Sequence, residues 1–251
     1  MNCLIHFKLP SRLLRCFVGL LFLIPGTIRA EVLEAGFSNF HPFMISESNS
    51  GIYHNILLSI ANITGDTFNI TYFPTSRGLR EFEKGTIDVV IGENPVWRKG
   101  SEVPGVYTIA FAEQVDVILF RPGKRIPVTS AKSLQGRTVG AVRGYYYPGY
   151  MADFLNDSIT RVDLRDEHNL LKFLDGGRVD QIFINKAVAQ YWMHKKPSYR
   201  NYEIGNDIGR ADIMIRVHPS KMRILERTNK AIKQLVLSGE IDKIYQQYRQ
   251  H

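Results

Sequence analysis

The chain has 251 residues, 44% hydrophobic and 22% charged, and its 32 Lys and Arg against 24 Asp and Glu give a formal net charge of +8. That length can bury a large core and falls between one big domain and two medium ones. Four of the basic residues and none of the acids lie in residues 1–30, which leaves 28 against 24 in the rest; so small an excess, with no basic run, argues against nucleic acid as a partner and leaves room for a local anion site.

The first thirty residues read differently from the rest. Lys8, Arg12 and Arg15 precede the apolar stretch CFVGLLFLIPG, and TIRA then ends in a small residue before Glu31. This is the pattern of a secretory signal peptide cleaved after Ala30, because the apolar stretch is well short of the roughly 20 residues a bilayer span needs. The hydrophobic segment follows Cys16, which speaks against a lipid anchor there. Both cysteines, Cys3 and Cys16, fall in the part to be removed. The mature chain is therefore expected to be soluble, without disulfide or thiol chemistry, and held by its core.

Beyond the signal, EVLEAGF predicts a strand and FSNFHPFMISESNSG a loop. The spacing of Ile52, Ile56, Leu57, Ile60 and Ile63 predicts an amphipathic helix stopped at Gly65. FNITYFP reads as a strand, and LREFEKGTIDVVIGEN, residues 79–94, supplies a helix and a further strand. The same alternation returns in RTVGAV, YPGYMADFLN, ITRVDL, EHNLLKFLDGG and VDQIFI. Two largely parallel α/β units follow from that order. Two longer strands, near 116–121 and 212–217, are candidates for crossings between them. The tail carries helices with apolar stripes at Ile224, Leu225, Ile232, Leu235 and Val236 and at Ile241, Ile244, Tyr245 and Tyr248.

Residues 171–186, LKFLDGGRVDQIFINK, repeat the pattern of residues 79–94 at a constant offset of 92. Each copy runs from a helix through a Gly turn and an Asp into a hydrophobic strand. Open parallel sheets bind ligands beyond the carboxyl ends of their strands. Glu93 and Asn185, equivalent in the repeat, sit just past those ends and are candidate site residues on that ground alone.

Five segments together resemble the family 3 periplasmic solute-binding proteins, the amino-acid-binding type associated with ABC importers: HPF at 41–43, GTIDVVIG with Arg98 beyond it, SLQGRTVGAVRG at 133–144, GGRVDQIFIN at 176–185 and LVLSGEIDKIYQQY at 235–248. The resemblance spans the mature chain. It implies an α/β fold of the type II-like two-lobed kind, with two hinge strands and a ligand cleft between the lobes. Lobe one would comprise 31–118 with 217–251, and lobe two 119–216. It also implies that Arg98 grips a ligand carboxylate, since a guanidinium can make two charge-assisted hydrogen bonds to one; the bland alternative is a solvated loop arginine beside Lys99. Relatives place an aspartate for the ligand ammonium where this chain has Asn185, which cannot neutralise a cation. Glu93 either supplies that charge or is a surface residue.

Around these positions Phe40, Phe43 and the run Tyr145, Tyr146, Tyr147 could clamp an apolar or cyclic ligand, although Phe43 fits the core equally well. At least one of the three tyrosines is expected to reach the cleft. Arg77 and Arg143 are further candidate anion contacts. Metalloprotease, redox, nucleophile-elbow and phosphate-loop motifs are absent, and the scattered histidines speak against a metal site; no cofactor is expected. The expected function is capture of a small polar or carboxylate-bearing solute by a monomeric binding protein, not an enzyme, that serves an ABC permease or a membrane sensor. The alternative is a dehydratase-like enzyme on the same scaffold, with Glu93 as proton donor and Arg98 and Arg77 for substrate carboxylates.

Overall fold

A computed structural model of the chain describes residues 29–249. The signal-peptide reading covers residues 1–30, of which 1–28 lie outside the described residues. In chain order the first unit holds β1 (Val32–Phe37), α1 (Ile52–Thr64), β2 (Thr67–Tyr72), α2 (Thr75–Glu83), β3 (Val89–Glu93) and β4 (Val106–Tyr107). There follow β5 (Ala112–Phe120), β6 (Thr138–Val142), α3 (Met151–Leu155), β7 (Thr160–Leu164), α4 (Glu167–Asp175), β8 (Gln181–Asn185), α5 (Lys186–Lys195) and β9 (Glu203–Val217). The chain ends in α6 (Leu225–Leu237) and α7 (Glu240–Arg249).

The strands lie in the order β2-β1-β3-β9-β5-β8-β6-β7, with β4 also on β9. Pairing is parallel within β2-β1-β3 and within β8-β6-β7, as the strand-helix alternation predicts. The antiparallel strands β5 and β9 join the two sets. β9 pairs with β3 through its last residues, from Met214 to Val217, and with β5 back to Glu203. It spans fifteen residues, far longer than 212–217, because its first half, EIGNDIGR, is too polar and glycine-rich to read as a strand until β5 supplies a partner. Helix α5 is also new. Only Val188 and Ala189 on it are buried, so it presents no apolar stripe to read.

Local rules explain the rest. Helix α1 buries Ile52, Ile56, Leu57 and Ile60 and stops at Gly65, whose φ of 78° only glycine adopts readily and whose N–H bonds the Ala61 carbonyl. Asp166 caps α4 by accepting from Asn169 N, and Leu170, Leu171 and Leu174 fill the core beneath. The tail returns to the first unit, where the Tyr248 hydroxyl accepts from Gly51 N at 3.0 Å and from Asn55 Nδ2 at 3.3 Å.

The two copies of the repeat adopt one geometry. Asp88 Oδ2 accepts from Glu34 N at 2.9 Å, and Asp180 Oδ2 accepts from Thr138 N at 2.8 Å. Each Asp also donates its own N–H to the carbonyl of that same residue, at 2.8 and 3.0 Å. The glycines before them, Gly85 and Gly177, have φ of 74° and 66°. The repeated Gly and Asp thus tie β3 to β1 and β8 to β6 in the same way.

Candidate functional site

A cleft with a cavity volume of about 100 Å³ opens where strands of both units end. One wall comes from the ends of β1, β2 and β3 and the start of α2. Gln114 and Asp116 of β5 form its floor, and Tyr145, Tyr146 and Tyr147, after β6, close it from the second unit. The units approach each other beside it: at Gly144, with φ of 88°, a Cβ would stand 3.4 Å from Cδ1 of Leu79, which lines the cleft, and away from this cleft His41 stacks 5.8 Å from Tyr191 on α5.

Glu93 reaches the cleft through a bulge. The β3–β9 register slips between Ile91 and Glu93, with Gly92 at φ 87° and its backbone so close to the Tyr53 ring that a Cβ would lie 2.5 Å away. Past it, Asn94 caps a short 3-10 turn, Pro95–Arg98, which brings Arg98 back onto Glu93. Arg98 Nη2 donates to Glu93 Oε1 at 2.7 Å, Nη1 donates to the Trp97 carbonyl at 3.3 Å, and Nε stands 2.7 Å from Oε2 without hydrogen-bond alignment. Both residues are 6% exposed. Burial works against the arginine's charge, but the Glu93 carboxylate outweighs it and the Arg98 pKa is raised. The solvated-loop and surface-residue alternatives are therefore set aside: Arg98 lines the cleft, paired with Glu93.

The other candidates are distributed as follows. Phe40 lines the cleft and stacks on Phe43 at 4.9 Å, whereas Phe43 is 3% exposed and belongs to the core, against Tyr53 at 4.6 Å. Tyr145 donates its hydroxyl to Glu167 Oε1 at 2.7 Å, Tyr146 is part-exposed, and Tyr147 packs on Phe183. All three tyrosines line the cleft. Asn185 does not; its side-chain oxygen accepts from Ala187 N at 2.8 Å and Val188 N at 3.2 Å as the N-cap of α5. It borders a second, wider cavity of about 620 Å³ with Lys186, Tyr191 and Tyr245. Arg77 is exposed, 4.0 Å from Glu81 and over the Phe73 ring, and Arg143 is exposed; neither lines the cleft.

Among the lining residues that escaped the sequence reading are Phe73, Trp97, Gln114 and Asp116. Asp116 accepts from Gln114 Nε2 at 3.0 Å, and burial pushes its carboxyl up to about 6, only partly offset by that bond. Its signal was an acid inside the hydrophobic run VDVILF. Behind Tyr145, burial likewise lifts Glu167 to about 7, with the tyrosine's hydrogen bond working in the opposite direction. Among the described residues no group of three or more His, Cys, Asp or Glu is placed to share a metal ion, and no helix is long and apolar enough to cross a membrane.

No family model matches the chain, and no curated protein does. Solved structures do. An ancestral arginine-binding protein bound to arginine superposes with a TM-score of 0.75 at 22% identity, covering 88% of this chain and 99% of that one. The fold is that of the two-lobed periplasmic binding proteins. The amino acid ABC transporter substrate-binding protein AbpA from Streptococcus pneumoniae, bound to L-arginine, gives 0.73 at 19%, covering 87% and 94%. The GluR0 ligand-binding core from Nostoc punctiforme in complex with L-glutamate gives 0.73 at 15%, covering 86% and 98%. In this fold β5 and β9 are the strands that run between the lobes, and the aromatic cleft lies between those lobes.

Proposed function

We propose that the protein is a periplasmic solute-binding protein of the amino-acid-binding kind, which closes two lobes on a small polar solute and presents the closed form to an ABC permease or a membrane sensor. The observation that carries this is the placement of a buried ion pair, a carboxylate without an ion-pair partner and several aromatic side chains in a cleft lined by residues of both units. Such an apolar concavity with a few convergent polar groups is the usual form of a small-molecule site. Structural neighbours bound to arginine or glutamate support a solute of amino-acid size. We take residues 31–118 with 217–251 as one lobe and 119–216 as the other, so β5 and β9 act as the hinge.

Binding without turnover is the reading favoured here. An enzyme on this scaffold needs a carboxylic acid facing its substrate as a proton donor. Glu167 stands behind Tyr145 and Glu93 is tied to Arg98, which leaves Asp116; with its carboxyl at about 6 it is mostly ionised at neutral pH and serves as an anion facing the ligand rather than as a proton donor. The test is small-angle scattering on the purified protein with saturating solutes chosen from a thermal-shift screen. A ligand that raises the melting temperature should also reduce the radius of gyration and be recovered unchanged. An unaltered scattering profile with a bound ligand would defeat the clamp, and a released product would replace binding with catalysis.

A further inference from the structure

Among the residues lining the cleft the charged side chains are Glu93, Arg98 and Asp116. Arg98 and Glu93 neutralise each other at 2.7 Å, with the arginine's Nη1 on the Trp97 carbonyl. A ligand carboxylate on the remaining N–H groups of Arg98 would have to sit beside the buried Glu93 carboxylate, with like charges next to each other. Asp116 differs. It has one neutral hydrogen-bond donor, Gln114, and among the described residues no Lys, Arg or His forms an ion pair with it. The cleft therefore carries one excess negative charge when Asp116 is ionised, and that charge has no cation of the protein's own.

The walls around Asp116 favour the same sign. Phe40, Phe73, Trp97, Tyr145 and Tyr146 all line the cavity. Aromatic faces carry negative potential and attract organic cations, most strongly where water is excluded. The volume, about 100 Å³, is below the roughly 150 Å³ of an apolar cavity that holds benzene, so only a short body fits inside it and a ring would extend through the mouth.

We propose that the cleft selects its ligand by an amine rather than by a carboxylate: a small organic monocation with a short apolar or ring body, its nitrogen on Asp116 and its body against the aromatic walls, while Arg98 holds Glu93 in place. This rests on the solute-binding reading and narrows it. It replaces the carboxylate preference suggested by Arg98 in the sequence.

Two matched sets test it by calorimetry and thermal shift on the purified protein at neutral pH: leucine, 3-methylbutylamine and 4-methylpentanoate, then phenylalanine, phenethylamine and 3-phenylpropanoate. Within a set the amine should bind at least as tightly as the amino acid, and the acid should not bind. Asp116→Asn should weaken the amine at least tenfold while the protein keeps its melting temperature, because the substitution removes a desolvated charge and leaves the shape unchanged. An acid that binds more tightly than its amine, no binding of either amine at millimolar concentration, or an Asp116→Asn protein with undiminished amine affinity overturns the proposal. If amino acids or acids bind and compact the protein while the amines do not, the inference fails and the clamp stands. Failure of every solute to bind and to change the scattering would remove both.

Discussion

Asp88 and Asp180 make the same pair of hydrogen bonds to a neighbouring strand, yet five residues further on their copies part company. In the first lobe the strand bulges at Gly92 and ends in Glu93, which a four-residue 3-10 turn joins to Arg98. In the second lobe the equivalent strand ends in Asn185, which caps a ten-residue helix with its side chain. Both endings satisfy buried backbone or charge, but only the first puts charged groups in the cleft. The repeat is thus a device for building a sheet twice. The chemistry lies in what each copy appends to it, and the two appendages follow different physical rules.

The strongest way to break this contrast is to remove one member of the first-lobe pair. Taking away one partner of a buried ion pair strands the other charge, which typically costs about 3–5 kcal/mol. Arg98→Ala should therefore lower unfolding stability by that order in urea titrations, and Glu93→Gln should also destabilise. The double replacement Glu93→Gln with Arg98→Met should lose less than Arg98→Ala alone, because no charge is left buried. A loss below about 1 kcal/mol for Arg98→Ala, the range of exposed pairs, would mean that the pair is solvated in solution and that Arg98 is free for a ligand after all.

A smaller effect sharpens the likeness. Asp88→Ala and Asp180→Ala each leave a backbone N–H of the adjacent strand without its acceptor, at a cost of about 1–3 kcal/mol apiece. The losses should be matched, with Asp88 slightly the larger because Lys221 Nζ also lies 3.3 Å from it. Hydrogen exchange should quicken at Glu34 in the first variant and at Thr138 in the second. Were one substitution silent and the other severe, the two copies would not be mechanical equivalents.

This division also decides what the sequence could disclose. Turn glycines, the strand-entry aspartates and the apolar stripes of α1, α4, α6 and α7 act locally, and they were readable because each residue's job is done within a few positions of itself. Glu93 and Arg98 were both singled out, but as separate candidates. Their pairing depends on a bulge, a positive φ at Gly92 and Pro95 in the turn, and none of these fixes a distance from spacing alone. Asp116 went unread because its meaning comes from packing. The same residue in an exposed strand would be an ordinary solvated acid, and here walls from both lobes lift its pKa to about 6. The first half of β9 went unread because its partner, β5, is about ninety residues away in sequence.

The finest test concerns Asn185, for which sequence and structure suggest different roles. Read beside relatives, it stands where an aspartate would meet an ammonium, so replacing it with Asp invites the expectation of stronger amine binding. In the fold its oxygen accepts from Ala187 N and Val188 N and lies outside the aromatic cleft. An aspartate caps a helix about as well as an asparagine and interacts favourably with the helix dipole. Asn185→Asp should then change stability by only a few tenths of a kcal/mol and leave ligand preference alone, whereas Asn185→Ala should cost about 1 kcal/mol through the lost cap. Thermal unfolding of both variants, with amine and acid affinities measured on each, separates the roles. Amine affinity that rises on Asn185→Asp would return this position to the binding site and weaken the contrast between the two strand ends.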